Sequence, residues 1–184
     1  MRINKQAAMI LSAAMMLSGG MAHAEVKKFR PHAGSLILEG AEVSADSRIL
    51  YLSGQLPPPV RSLKSRSTAP SVADYGDTRT QTINILKKIK GLLEKRGYSM
   101  SDLIKLTIFL APDPRTGRLD YDGANAGFRQ FFNTRDNPST VARSAFGVAS
   151  LAAPQYLVEI EAIAARDQNA EETKKDKAKD ISER

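Results

Sequence analysis

Strict period-two alternation marks the C-terminal third of the chain. Residues 141–149 put Val141, Arg143, Ala145, Gly147 and Ala149 on one face, and Ala142, Ser144, Phe146 and Val148 on the other. Residues 156–164 put Tyr156, Val158, Ile160, Ala162 and Ala164 on one face, with Leu157, Glu159, Glu161 and Ile163 opposite. Successive strand side chains alternate between faces, so both stretches are predicted strands, joined by a short connection. Residues 103–110, Leu-Ile-Lys-Leu-Thr-Ile-Phe-Leu, are apolar on both faces except at Lys105 and Thr107 and predict a central strand. Residues 36–43 and 48–53 predict two more, and the polar Ser44-Ala45-Asp46-Ser47 between them predicts a hairpin. Residues 25–32 read as an irregular lead-in, with Pro31 opposing a regular start.

The helical period appears twice. Over 74–96, Thr82, Ile85, Leu86, Ile89, Leu92 and Leu93 form one apolar stripe. Lys87, Lys88, Lys90, Lys95 and Arg96 take the other face and the last turn, as a solvated surface. Asp74 and Asp77 are candidate N-caps, and Gly97 is placed to end the helix in a left-handed turn. Over 122–133, Ala124, Phe128, Phe131 and Phe132 make a second packing face, with Asn125 in the first turn. The order strand, strand, helix, strand, helix, strand, strand predicts an α+β layer with two helices on one face of a mixed sheet. The other face is left apolar in part, so it is expected to pack against copies of itself in a closed oligomer.

The two ends of the chain differ from this pattern. Arg2 and Lys5 precede an apolar run over 7–17, and Ala22-His23-Ala24 follows as a small-x-small cleavage signature. Residues 1–24 thus read as a signal peptide, too short for a comfortable transmembrane helix, with an uncleaved anchor as the alternative. The expectation is a domain over 25–166 exported to the periplasm, or secreted, with no membrane attachment after cleavage. Residues 167–184 read as a charged, disordered or frayed tail. Loss of the leader lowers the net charge from +7 to +5. Part of that excess lies in Arg61, Lys64 and Arg66 on a Pro/Ser-rich surface loop over 58–73. No basic helix carries interleaved aromatics, which argues against a nucleic-acid partner. The absence of cysteine excludes disulfides, thiol nucleophiles, thiolate metal sites and a lipidated cysteine anchor. One histidine, His32, remains outside the leader, and no His/carboxylate cluster points to a metal.

Two features are unusual for plain strands. Arg143 shares its face with small residues and one Val, which leaves room beside a planar guanidinium. Such a group holds a small carboxylate through two parallel hydrogen bonds. Glu159 and Glu161 lie on one side of a strand otherwise rich in buried-type residues, about 6–7 Å apart. A carboxylate placed there could orient or activate water. The alternative is an Arg–Glu ion pair on a solvated sheet face.

Together Ser53-Gly54-Gln55-Leu56-Pro57, Arg143-Ser144 and Val158-Glu159-Ile160-Glu161-Ala162-Ile163-Ala164 resemble the reactive-intermediate deaminase family (Rid/YjgF). Gln81-Thr82 with Asn84, the 103–110 strand, and Asn125 followed by Phe131-Phe132 also fit, so the resemblance covers most of 35–166. It implies a chorismate-mutase-like (bacillus type) α+β fold and a homotrimer with sites at the subunit interfaces. It implies hydrolysis of 2-imino or 2-enamino acids to 2-oxo acids and ammonia, with no metal or organic cofactor. Arg143 is similar in place to the family's substrate-carboxylate arginine, and Glu159 to its water-positioning glutamate. Ser53, Gly54 and Asn125 resemble cleft-lining positions, while Glu161 matches a structural acidic one. The family's cysteine two residues after the arginine is Ala145 here, which can still offer its backbone carbonyl. The family's N-terminal Gly-Pro-Tyr is replaced near Ala33-Gly34-Ser35-Leu36, and the loop after Pro57 is basic. A non-catalytic trimer that binds small carboxylates or exposed protein surfaces is the alternative function.

Overall fold

The computed structural model describes residues 26–62 and 68–167. The expected signal peptide, Lys64 and Arg66 of the basic loop, and the tail beyond Asp167 lie outside them. The chain forms strands β1 (Val26–Phe29), β2 (Gly40–Val43) and β3 (Ser47–Gln55), then helices α1 (Val72–Tyr75) and α2 (Thr78–Glu94). Strand β4 (Leu103–Leu110), helix α3 (Tyr121–Phe128) and strands β5 (Ala142–Gly147) and β6 (Val158–Asp167) follow. β1 and β2 make a small antiparallel sheet, and the main sheet has the order β3-β6-β4-β5. β4 runs parallel to β5 and antiparallel to β6, so the sheet is mixed and the expected α+β class holds.

Several expectations change. Residues 25–32 are not all irregular, because β1 occupies Val26–Phe29. Its inward positions are Val26 and Lys28, and a lysine at an inward position hides the alternation. The predicted 36–43 strand shortens to β2, with Leu38 making an isolated bridge to Ala142. The predicted hairpin does not form. The turn is present, with Ser47 N–H donating to Ser44 O at 3.1 Å, but β2 pairs with β1 and β3 pairs with β6. β5 and β6 are not neighbours either, since β4 lies between them.

The long helix is two. Gly76, at φ +86°, breaks it after one turn, and Asp77 caps α2 by accepting from Thr80 N–H at 2.8 Å. Asp74 does not cap α2. It sits fully buried in the first turn of α1, where it accepts from Ser71 N–H and pairs with Arg61 at 3.2 Å. The expected stop at Gly97 is present, at φ +74°. α3 ends at Phe128, earlier than predicted, and Phe131 and Phe132 follow in a turn.

The core lies between the helices and one sheet face. Ile85, Leu86, Ile89 and Leu93 of α2 and Phe128 of α3 meet Leu106, Ile108, Leu110 and Ile160 of the sheet, all with no exposure. Burial of each such side chain is worth about 1.5–3 kcal/mol. A Cβ on Gly127 would lie 2.8 Å from Thr82 Cβ and 3.0 Å from Arg79 O, so this glycine lets α3 close onto α2. The other sheet face keeps Ile49, Tyr51 and Phe146 exposed, Tyr51 by 70%.

Candidate functional site

Arg143 stands on β5 opposite Leu106 of β4, so its side chain leaves on the helix-covered face. Asn125, in the middle of α3, accepts from Arg143 Nη2 at 2.8 Å. Phe128, one turn on, lies under the guanidinium with its ring centre 4.5 Å from Cζ. Residues i and i+3 of a helix share a side, so α3 holds the cation with one polar and one aromatic group. Nη1 is buried and has no hydrogen-bond partner among the described residues. Burial, and then the positive charge of Arg129, hold the Arg143 pKa below its ordinary value. Arginine starts from so high a value that it stays charged at neutral pH. Ala145, two residues along, faces the same way and is half-buried.

Glu159 leaves β6 on the opposite face. It pairs with Phe109 of β4, which faces away from the helices, while its neighbours Val158 and Ile160 are buried in the core. Its carboxylate lies over Gly54, where an added Cβ would meet Glu159 Oε1 at 1.8 Å and Cδ at 2.8 Å. Gly54 falls at an irregularity in the β3–β6 register, between Leu52 and Gln55. Only glycine leaves the carboxylate this seat without displacing it. Ser53, beside it, is exposed, and its carbonyl accepts from Gln55 Nε2. Glu161 is exposed on the same face and lines a cavity of about 200 Å³ with Tyr51, Lys105 and Ile163. Lys105 Nζ donates to Ser144 Oγ at 2.8 Å.

The six predicted site residues thus form two groups. Arg143, Asn125 and Ala145 are on the helix side, and Glu159, Gly54 and Ser53 are on the open side. Within the chain the sheet separates them. The alternative Arg–Glu ion pair is absent, because among the described residues Arg143 bonds to Asn125 and Glu159 makes no hydrogen bond or ion pair.

The sequence reading missed two supports. The sequence pattern marks Phe128 for packing alone; its place three residues after Asn125 is the available signal. Gln81 is fully buried and anchors the approach to β6. Its Nε2 donates to Gly76 O and Gln155 O at 3.0 and 2.9 Å, and its Oε1 accepts from Leu157 N–H at 2.8 Å. A polar residue beside an apolar stripe does not by itself announce that it will be buried.

Residues 41–166 match the family described as Endoribonuclease L-PSP. The chain belongs to this family. It is 36% identical over 92 residues to a RutC family protein of Pyrococcus horikoshii, covering 50% of this chain and 65% of that protein. It is 34% identical over 90 residues to a RutC family protein of Haemophilus influenzae, covering 49% of this chain and 65% of that one. The match therefore spans just under two thirds of these relatives' length. A solved structure from Yersinia pestis, a protein of unknown function of the conserved Rid protein family, superposes with a TM-score of 0.55 at 21% identity. It covers 78% of this chain and 99% of that one, and the two share the chorismate-mutase-like fold.

Proposed function

We propose that this protein hydrolyses reactive 2-imino and 2-enamino acids to 2-oxo acids and ammonia, in a homotrimer whose sites lie at subunit interfaces. The observation that carries the reading is Arg143 Nη1, a buried donor without a partner beside an Nη2 held in place by Asn125. An unsatisfied buried donor costs about 1–3 kcal/mol, and a ligand carboxylate would relieve it. Glu159 faces away from its own Arg143, so a complete site pairs Arg143 of one protomer with Glu159 of the partner subunit. The exposed Ile49, Tyr51 and Phe146 give the open face a reason to be covered by another copy. Three copies, and the roles of the two residues, follow the family resemblance.

In the reaction, Arg143 fixes the substrate carboxylate, and Glu159 orients a water over the iminium carbon. The water oxygen bonds to that carbon, and the C=N π pair moves to nitrogen. Glu159 takes the proton that the water loses and returns it to the nitrogen. The hydroxyl then gives its remaining proton to Glu159, its electron pair forms the C=O bond, and the C–N bond breaks with its pair on nitrogen. Ammonia leaves, the oxo acid remains and Glu159 passes the proton on to solvent. The iminium carbon is already electrophilic, so orientation and proton transfer suffice without a metal or an organic cofactor.

Residues 1–24 direct export in this reading, to the periplasm or beyond the cell. Such a protein would clear imino acids made outside the cytoplasm. N-terminal sequencing of the native protein would find Glu25 first; retention of the leader in mature protein would overturn export.

A second reading has one observation in its favour: the cation half of the site is complete within one protomer. Binding small carboxylates needs only that half. The test generates 2-iminopropanoate with an amino-acid oxidase and follows its decay. Acceleration that is lost in Arg143→Ala and reduced in Glu159→Gln supports the hydrolase. Saturable pyruvate binding with no acceleration supports the binder.

A further inference from the structure

We infer that the Arg143 site takes a dianionic ligand, so that its substrates are imino dicarboxylic acids, with Arg129 holding the second acid group. The inference deepens the hydrolase reading and, for turnover, rests on it.

Asn125, Phe128 and Arg129 stand at i, i+3 and i+4 on α3, so all three lie on one side of the helix. The first two hold the Arg143 guanidinium, by the 2.8 Å hydrogen bond and the 4.5 Å ring contact. Arg129 follows at the C-terminal end of the helix, its N–H donating to Asn125 O at 3.0 Å. One helical turn, about 5.4 Å, therefore separates the residue that positions the first cation from the second cation.

The Arg129 side chain is exposed and makes no hydrogen bond or ion pair with any described residue. Its charge nonetheless reaches Arg143, where it disfavours the protonated guanidinium. Two like charges are thus gathered on one side of a short helix. No carboxylate among the described residues pairs with either. Such a pair is relieved by two negative charges better than by one. A monocarboxylate can satisfy Arg143 Nη1 alone, and Arg129 then still lacks a counter-charge. A dicarboxylate carries one acid group for each cation and can satisfy both.

The geometry also gives the two cations different duties. Arg143 is half-buried and fixed, so it sets the position of the reacting end. Arg129 is exposed and free to turn, so it selects for charge without defining the attack geometry.

The test compares 2-iminosuccinate with 2-iminopropanoate, each generated by an oxidase, and in parallel measures binding of oxaloacetate and pyruvate by calorimetry. The wild-type protein should prefer the dianion in kcat/KM and in binding by about tenfold, the worth of one charge-assisted hydrogen bond. In Arg129→Gln that ratio should fall to near one, and rising salt should erode it in the wild type. A wild-type ratio near one, or a ratio unchanged in Arg129→Gln, overturns the inference while the hydrolase reading stands. If neither imine is hydrolysed, the hydrolase reading fails, and the oxaloacetate-to-pyruvate binding ratio decides the inference alone. Absence of binding by both oxo acids overturns it as well.

Discussion

The two faces of the main sheet are built to opposite rules. On the helix side, Leu106, Ile108, Leu110 and Ile160 are sealed, and the polar groups admitted are held individually. Gln81 uses both ends of its amide, Thr82 Oγ1 donates to Thr78 O, and Arg143 is fixed by Asn125 and Phe128. On the open side, Tyr51 and Phe146 are exposed, and Glu159 rests on Gly54 with no hydrogen-bond or ion-pair partner among the described residues. The contrast separates side chains that the fold holds individually from side chains that it leaves exposed. On the helix side Arg143 Nη1 is left buried without a hydrogen-bond partner among the described residues. The open side offers a carboxylate and apolar surface together. A low-dielectric interior makes every unsatisfied group expensive, so one left on the closed side is informative.

The largest test compares the two faces directly. Ile160→Ala removes a fully buried side chain and should cost about 2–5 kcal/mol of stability by urea denaturation. Ile163→Ala, three residues on and facing the open side, should cost under about 1 kcal/mol in the isolated protomer. It should instead weaken association, read by sedimentation as a shift toward smaller species. Equal stability losses with no change in association would break the contrast.

Gly54→Ala attacks the open side at its carboxylate. The new methyl group would occupy the position of Glu159 Oε1, so the side chain must swing away. Stability should change little, because the displaced atoms end a flexible chain, while kcat should fall about a hundredfold for a misplacement of this kind. Unchanged turnover would remove Glu159 from the reaction.

Asn125→Ala attacks the closed side. It frees Arg143 Nη2 and should raise KM about tenfold through one lost hydrogen bond to a charged group. A fall in kcat at constant KM would instead place Asn125 nearer to the chemistry.

The smallest effect concerns the seam between the two sheets. Lys28 Nζ donates to Ser101 O, Leu103 O and Ser139 Oγ, and burial lowers its pKa to about 8 from 10.5. Between those values the unfolded chain holds the proton and the folded chain releases it. Stability from this group therefore rises as pH goes from 8 toward 10.5. The wild type should gain relative to Lys28→Gln in denaturation midpoints measured at pH 7.5 and pH 10. A constant difference would show that Lys28 keeps its proton throughout.

How far this could be read in advance varies with the distance over which each feature is decided. The 103–110 strand, the stripe from Thr82 to Leu93 and the cap at Gly97 were legible because each depends on neighbours within a turn or two. The partners of β2 and β3 were not. A polar turn joins them, yet the chain passes them to different sheets, a choice made by pairing with β1 and with β6 more than a hundred residues on. The site divides in the same way. Residue type and resemblance point to Arg143, Glu159, Gly54 and Asn125. Nothing local could say that Glu159 sits on Gly54 or that Phe128 carries Arg143.

The sequence by itself determined the family, the α+β class and the alternation that sends Arg143 and Glu159 out of their strands, because periodicity and capping are local properties of the chain. Only the tertiary structure decided that those two side chains leave on opposite faces. That outcome depends on the registers of β5 and β6 against β4, where a shift of one residue would exchange the faces.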